Sequence, residues 1–146
     1  MVRVLATGTF DILHPGHLLY LSEARSLGDE LYVIVARDSM IKHKQKPVVP
    51  EEQRLEMVQA LRAVDKAMLG SKIDMFEPLR EIRPDIIALG ANQFFKEKDL
   101  EAQLRVHGID AKVVRINSFR QCDLCSSAAI MRKVIERDGS DHPFPS

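Results

Sequence analysis

Short β-branched runs and stretches of helical periodicity alternate along the whole chain, and this alternation limits the folds open to it more than any other feature. Residues 2–6 and 30–36 are compact apolar runs, and between them Leu18, Leu19, Leu21, Ala24 and Leu27 recur at helical spacing. Gly28 and Asp29 stop that helix and turn the chain, so the first quarter reads as a strand–helix–strand unit. Pro50, Glu51 and Glu52 then place a proline and two acids in a helical first turn, with Leu55, Val58 and Leu61 on one face. The pattern continues with a strand over 66–69, a helix over 75–82, an apolar strand over 86–89 ended by Gly90, and a helix over 98–107 closing on Gly108. A last strand over 111–116 and a final helix over 126–136, with Ser126 or Ser127 as N-cap, complete it. Five strands alternating with helices predict an α/β fold with a mostly parallel sheet covered on both faces.

The 146 residues fit a single domain with one sizeable core, expected over residues 1–137. Residues 138–146 hold turn formers and two prolines without periodicity, which predicts a loosely held tail. Lys+Arg and Asp+Glu number 21 each, so no global field argues for a nucleic-acid or anionic-membrane partner, and any anion site must be built locally. No charged leader precedes the first strand and no apolar run approaches the roughly 18 residues of a spanning helix, so a cytoplasmic protein without a membrane span is expected.

Ligands of open α/β sheets bind beyond the carboxyl ends of the strands, where the strand order reverses. The stretch that follows the first strand, residues 8–17, reads Gly-Thr-Phe-Asp-Ile-Leu-His-Pro-Gly-His. With Pro15 at the first helical position, for which its fixed φ suits it, His14 and His17 lie three apart across a helix start and can converge on one point. Gly16 leaves room for close backbone approach, and the unpaired N–H groups of the first turn add donors at a positive dipole end. That combination suits a phosphate. The same residues also fit a plain helix cap with a half-buried histidine, or two ligands of an incomplete metal site.

Gly8, Thr9, Phe10, Asp11, His14, Gly16 and His17, with Gly28-Asp29 ahead of the second strand, resemble the signature of the cytidylyltransferase-like nucleotidyltransferases. The likeness continues at Arg54, at Val64-Asp65 and at Ser126-Ser127, and so spans nearly the whole chain. It implies a Rossmann-like, doubly wound parallel five-stranded sheet of order 3-2-1-4-5. It also implies transfer of a nucleoside monophosphate from a nucleoside triphosphate to a phosphate-bearing acceptor, with release of pyrophosphate. Under this likeness His14 and His17 meet the phosphates, Thr9 and Phe10 give backbone donors, and Arg54 contacts a phosphate. Mg²⁺ or another divalent cation would bridge the triphosphate, with no protein ligand assigned to it. A homodimer is implied as well.

Lys42, Lys44 and Lys46 lie in the loop after the second strand, either as a solvated run or with Lys44 or Lys46 reaching a phosphate. Gly90 and Asn92 follow the fourth strand where the nucleoside is expected; relatives often have an acid near Asn92, and an amide exchanges hydrogen bonds without supplying a carboxylate. Arg120 and the hydroxyls of Ser126 and Ser127 stand where the cytidylyltransferases carry an arginine and a Ser-Thr-Thr run, and are expected to bind the β- and γ-phosphates. Cys122 and Cys125 read as redox-sensitive thiols beside a helix start, as half a zinc site, or as two ordinary buried cysteines. The Cys-x-x-Cys-Ser-Ser segment resembles the archaeal FAD synthases more than the glycerol-3-phosphate cytidylyltransferases. The expected reaction is therefore transfer of AMP from ATP to FMN. The alternatives are a cytidylyltransferase using CTP and a polyol phosphate, or a nucleotide-binding, redox-responsive module without catalysis.

Overall fold

A computed structural model describes residues 1–42, 45–91, 93, 95–118 and 121–138. Strand β1 (Arg3–Gly8) runs in the middle of a five-stranded sheet, flanked by β2 (Glu30–Val35) on one side and β4 (Ile86–Gly90) on the other. With β3 (Lys66–Leu69) and β5 (Lys112–Ile116) at the edges, the order is β3-β2-β1-β4-β5, and every pairing is parallel. This is the order the family likeness implies. Register puts Arg3 opposite Glu30 and Val4 opposite Ile86, so the carboxyl ends of β1, β2 and β4 share one edge of the sheet.

Strand periodicity sorts the core into two layers. Val4 and Ala6 of β1 pack with Leu31, Val33 and Val35 of β2 against α1 (Pro15–Ser26) and α2 (Glu51–Gln59), through Leu21, Ala24 and Val58. Leu5 points the other way, packing with Ile34, Ile87 and Leu89 against α3 (Glu77–Ile82) and α4 (Glu97–Val106), through Leu79, Ile82, Leu100 and Leu104. Each central strand is thus apolar on both faces, which is why its sequence reads as a continuous run and not as an alternation. Successive crossovers change face between β1 and β4, and the switch point falls there.

Boundaries shift where side chains compete for the backbone. The 3₁₀ turn at Asp38–Met40 interrupts the predicted loop. α3 starts two residues later than its periodicity predicts, because the Asp74 carboxylate accepts the N–H of Phe76 and the Asp74 carbonyl accepts that of Glu77. The final helix, α5 (Ser127–Asp138), begins one residue late because Ser126 stands outside as its cap, with Oγ accepting the Ala129 N–H at 3.1 Å. Tail residues 139–146 lie outside the described residues, as do Lys44, Asn92 and Arg120. No helix among the described residues is long and apolar enough to cross a membrane.

Candidate active site

The turn after β1 places its two histidines by making them cap each other's helix turn. His14 is the N-cap of α1, and its Nδ1 accepts the N–H of Gly16 at 3.1 Å. His17, at the third helical position, returns the favour with Nδ1 accepting the His14 N–H at 3.3 Å. This is a capping box built from imidazoles in place of a hydroxyl and a carboxylate. The two rings lie 3.8 Å apart, centroid to centroid. Because both Nδ1 atoms are acceptors, each neutral ring carries its proton on Nε2, the donor it has left to offer a ligand. Cap and phosphate site, alternatives in the sequence, are therefore compatible in one geometry.

Burial keeps these rings neutral. Desolvation first, and then the neighbouring His14, pulls the His17 pKa down to about 4, against a small upward pull from Asp11. Burial lowers His14 in the same direction. His17 therefore sheds its proton near pH 4 in the folded protein and near 6.5 in the unfolded chain, so the unfolded state binds more protons between those values. Stability is expected to rise with pH across that window. Urea unfolding at pH 5 and pH 7 should show the gain, and His17→Ala should shrink it; an unchanged difference would refute the assignment.

The turn is held from below. Phe10, with φ of 54°, is one of two non-glycine residues in the left-handed region among those described, and its buried ring lies 5.4 Å from the His17 ring. A Cβ on Gly8 would meet that ring at 2.9 Å, and one on Gly16 would meet the His14 ring at 2.8 Å and the Cys125 carbonyl at 3.0 Å. Glycine is needed at both positions for close approach.

Arg54 departs from the sequence expectation. It is only 1% exposed, with Nε donating to Val49 O at 2.9 Å and Nη1 to Thr9 O at 2.7 Å and Ala36 O at 2.8 Å. Its Nη2 meets Asp38 Oδ1 at 2.6 Å. So enclosed, the guanidinium ties the His turn, the end of β2 and the start of α2 together. Carbonyl and N–H point oppositely across a trans peptide, so drawing Thr9 O onto Arg54 aims the Phe10 N–H away from it. Asp11 adds a second tie, accepting the N–H groups of Val48 at 3.0 Å and Val49 at 2.9 Å.

The facing wall comes from the end of β4. Gln93 accepts the Gly90 N–H at 2.8 Å and reaches over to Thr7 of β1, with Nε2 at 3.3 Å from Oγ1. Beneath it the Tyr20 hydroxyl donates to Ala88 O at 2.6 Å, and burial pushes that phenol well above its ordinary range. The third wall is the start of α5. Ser127 Oγ lies 3.3 Å from Ile12 O, tying α5 to the His turn, and Ser126 is the cap described above. Cys122 and Cys125 are joined as a disulfide, with Cα atoms 5.3 Å apart, one residue ahead of Ser126.

His14, His17, Thr9, Phe10, Gly90, Ser126 and Ser127 thus gather around the carboxyl ends of β1 and β4. Lys42 is exposed in the loop after β2, and Lys46 donates to Asp38 O at 2.5 Å. Asp11, Gln93 and Tyr20 carry geometry that periodicity did not mark; Asp11 alone stood inside a motif. No three His, Cys, Asp or Glu side chains converge on a metal position among the described residues.

The parallel sheet of order 3-2-1-4-5, with paired histidines opening α1 at its switch point, is the arrangement that the likeness to the cytidylyltransferase-like nucleotidyltransferases implies. The cytidylyltransferase-like family model matches residues 5–133, and the chain belongs to that family. It is 63% identical over 137 residues to the FAD synthase of Methanohalophilus mahii, covering 94% of this chain and 96% of that one. It is 62% identical over 141 residues to the FAD synthase of Methanococcoides burtonii, covering 97% and 99%. Among solved structures, one described as a lipopolysaccharide core biosynthesis protein from Thermoplasma volcanium superposes with a TM-score of 0.79 at 46% identity, covering 82% of this chain and 99% of that one.

Proposed function

We propose that this protein is an FAD synthase, transferring AMP from ATP to FMN. The observation that carries the reading is the imidazole capping box at the sheet's switch point, in a chain 63% identical to a curated FAD synthase over nearly its full length. A phosphate oxygen of FMN attacks the α-phosphorus of ATP, forming the new P–O bond of FAD. The bond from the α-phosphorus to the bridging oxygen breaks, and its electron pair leaves with pyrophosphate. The second pKa of a phosphate monoester is about 6, so the attacking group is largely dianionic near pH 7 and no protein base is required. What remains is electrostatic. The Nε2–H groups of His14 and His17 donate to the α-phosphoryl oxygens, where charge builds in the transition state. Ser126, Ser127 and the first N–H groups of α5 take the leaving pyrophosphate, and Lys42, Lys44 or Lys46 neutralises the acceptor phosphate. Asn92 and Arg120 are assigned to the nucleoside and the triphosphate. A divalent cation such as Mg²⁺, entering with the nucleotide, would supply further charge neutralisation. We place the reaction in the cytoplasm and assign a homodimer, which a mass measurement in solution tests.

Incubating the reduced protein with FMN, Mg²⁺ and either ATP or CTP is expected to give FAD and pyrophosphate with ATP alone. Turnover of CTP with glycerol 3-phosphate, and none of ATP with FMN, would overturn the reading.

The disulfide adds a prediction. The Cys125 carbonyl lies against Gly16, so closing or opening the Cys122–Cys125 bond bears on the backbone that the His turn packs against. Oxidation is expected to lower FAD formation several-fold and dithiothreitol to restore it. Equal rates for the two forms, with thiol counts verifying each state, would remove the idea.

A further inference from the structure

The side chain that shapes the β4 wall of the crevice is one that no motif marks. Arg115, on β5, sends its guanidinium under the segment joining β4 to α4. Its Nη1 donates to Gly90 O at 3.0 Å and Gln93 O at 2.9 Å, and its Nη2 donates to Phe95 O. Its Nε donates to Glu97 Oε1 at 2.7 Å, the first residue of α4. A fourth carbonyl, Ala91 O, lies 3.4 Å from Nη1. One planar cation therefore collects the carbonyls of Gly90, Ala91, Gln93 and Phe95 and ties them to the helix that follows. A carbonyl-gathering centre of this kind fixes a loop's shape, because five N–H donors in a rigid fork accept only one arrangement of their partners.

Gly90 and Gln93, so held, form the wall that faces the His turn. Its Gln93 bridges back to Thr7, the residue before Gly8, and so closes the gap between β1 and β4 at the switch point. Phe95, 44% exposed, and Gln93 also line an open groove of about 1030 Å³ outside the loop, together with Val114, Asn117 and Arg115 itself. His14 and His17 do not line the groove, while Gln93 stands both there and against Thr7. Across the crevice, the wall after β2 carries Lys42 and Lys46 and suits phosphate. The β4 wall offers the Gln93 amide to the crevice, and the exposed Phe95 ring stands on its groove side; the two suit a heteroaromatic ring with donor and acceptor edges.

Resting on the reaction proposed above, we infer that Arg115 is a positioning residue for the adenosine end of ATP, acting through Gly90, Gln93 and Phe95. Both substrates carry a heteroaromatic ring, so the test must separate them. Arg115→Ala is expected to raise KM for ATP about tenfold, with kcat and KM for FMN within about twofold, because the phosphoryl chemistry stays with the His turn. Gln93→Ala, a change in the loop itself, should give the same split and keeps the test open if Arg115→Ala does not fold. Arg115→Lys should recover little, since an ammonium cannot span these carbonyls as a planar fork does. ATP affinity measured by calorimetry without FMN should weaken by a similar factor in both alanine variants. If the wild type binds ATP but makes no FAD, the acceptor assignment fails and the calorimetric comparison still decides Arg115. An unchanged affinity for ATP, a selective rise in KM for FMN, or a fall in kcat alone would overturn the inference.

Discussion

Replacing His17 by alanine is expected to lower kcat/KM for FAD formation by about 10²–10³-fold, the loss typical of removing one preorganised donor from a developing anion. Two effects combine in that variant. The imidazole Nε2–H aimed at the phosphoryl oxygens is gone, and so is the Nδ1 that accepts the His14 N–H at 3.3 Å. Losing the capping contact alone costs about 1 kcal/mol, a few degrees of melting temperature in a chain of this size. His17→Gln separates the two. Glutamine at the third helical position rebuilds a capping box, so stability should return toward wild type while the rate stays low. Recovery of rate as well as stability in His17→Gln would reduce the residue to a cap. A loss below threefold in His17→Ala would withdraw its contact with the phosphoryl group.

The fold and the turn were legible for a physical reason. In a parallel sheet buried on both faces the strands must be apolar runs, and the crossovers must be amphipathic helices, so residues such as Val4, Leu5 and Ala6 announce their layer without reference to distant contacts. The His turn was legible because its geometry is local: cap, proline and glycine lie within four residues. The structural role of Arg54 was not legible because its partners are remote in sequence. The likeness marked it for a phosphate, while Thr9 O and Ala36 O, 45 and 18 residues away, enclose it only once the sheet is assembled. Gln93 and Arg115 escaped notice for the same reason, each acting on backbone that only the sheet order brings near. The cysteines fall between these cases. Their spacing suggested a redox pair, while the packing of the Cys125 carbonyl against Gly16 depends on how α5 returns to the turn.

The second large effect follows from the enclosure of Arg54. Arg54→Ala is expected to destabilise the ligand-free protein by about 3–5 kcal/mol, the range for breaking a buried, hydrogen-bonded charge network. At about 2–4 °C per kcal/mol, the melting temperature should fall on the order of 10 °C. The cost does not arise mainly at the carboxylate, because Asp38 keeps 40% of its side-chain surface in water and is resolvated once its partner is gone. It arises at the carbonyls of Thr9, Ala36 and Val49, which lose their donors inside the fold, and at the space the side chain vacates. Arg54→Lys should fall between, because a single ammonium cannot serve Val49 O, Thr9 O, Ala36 O and Asp38 together. Activity should fall too, since the Thr9 peptide is no longer held and the turn carrying His14 and His17 loses its floor. A surface arginine that only meets a phosphate predicts the opposite pattern: a rate loss with ligand-free stability unchanged. Urea unfolding of the ligand-free variant, alongside its kinetics, tells the two apart, and stability equal to wild type would return Arg54 to the phosphate site.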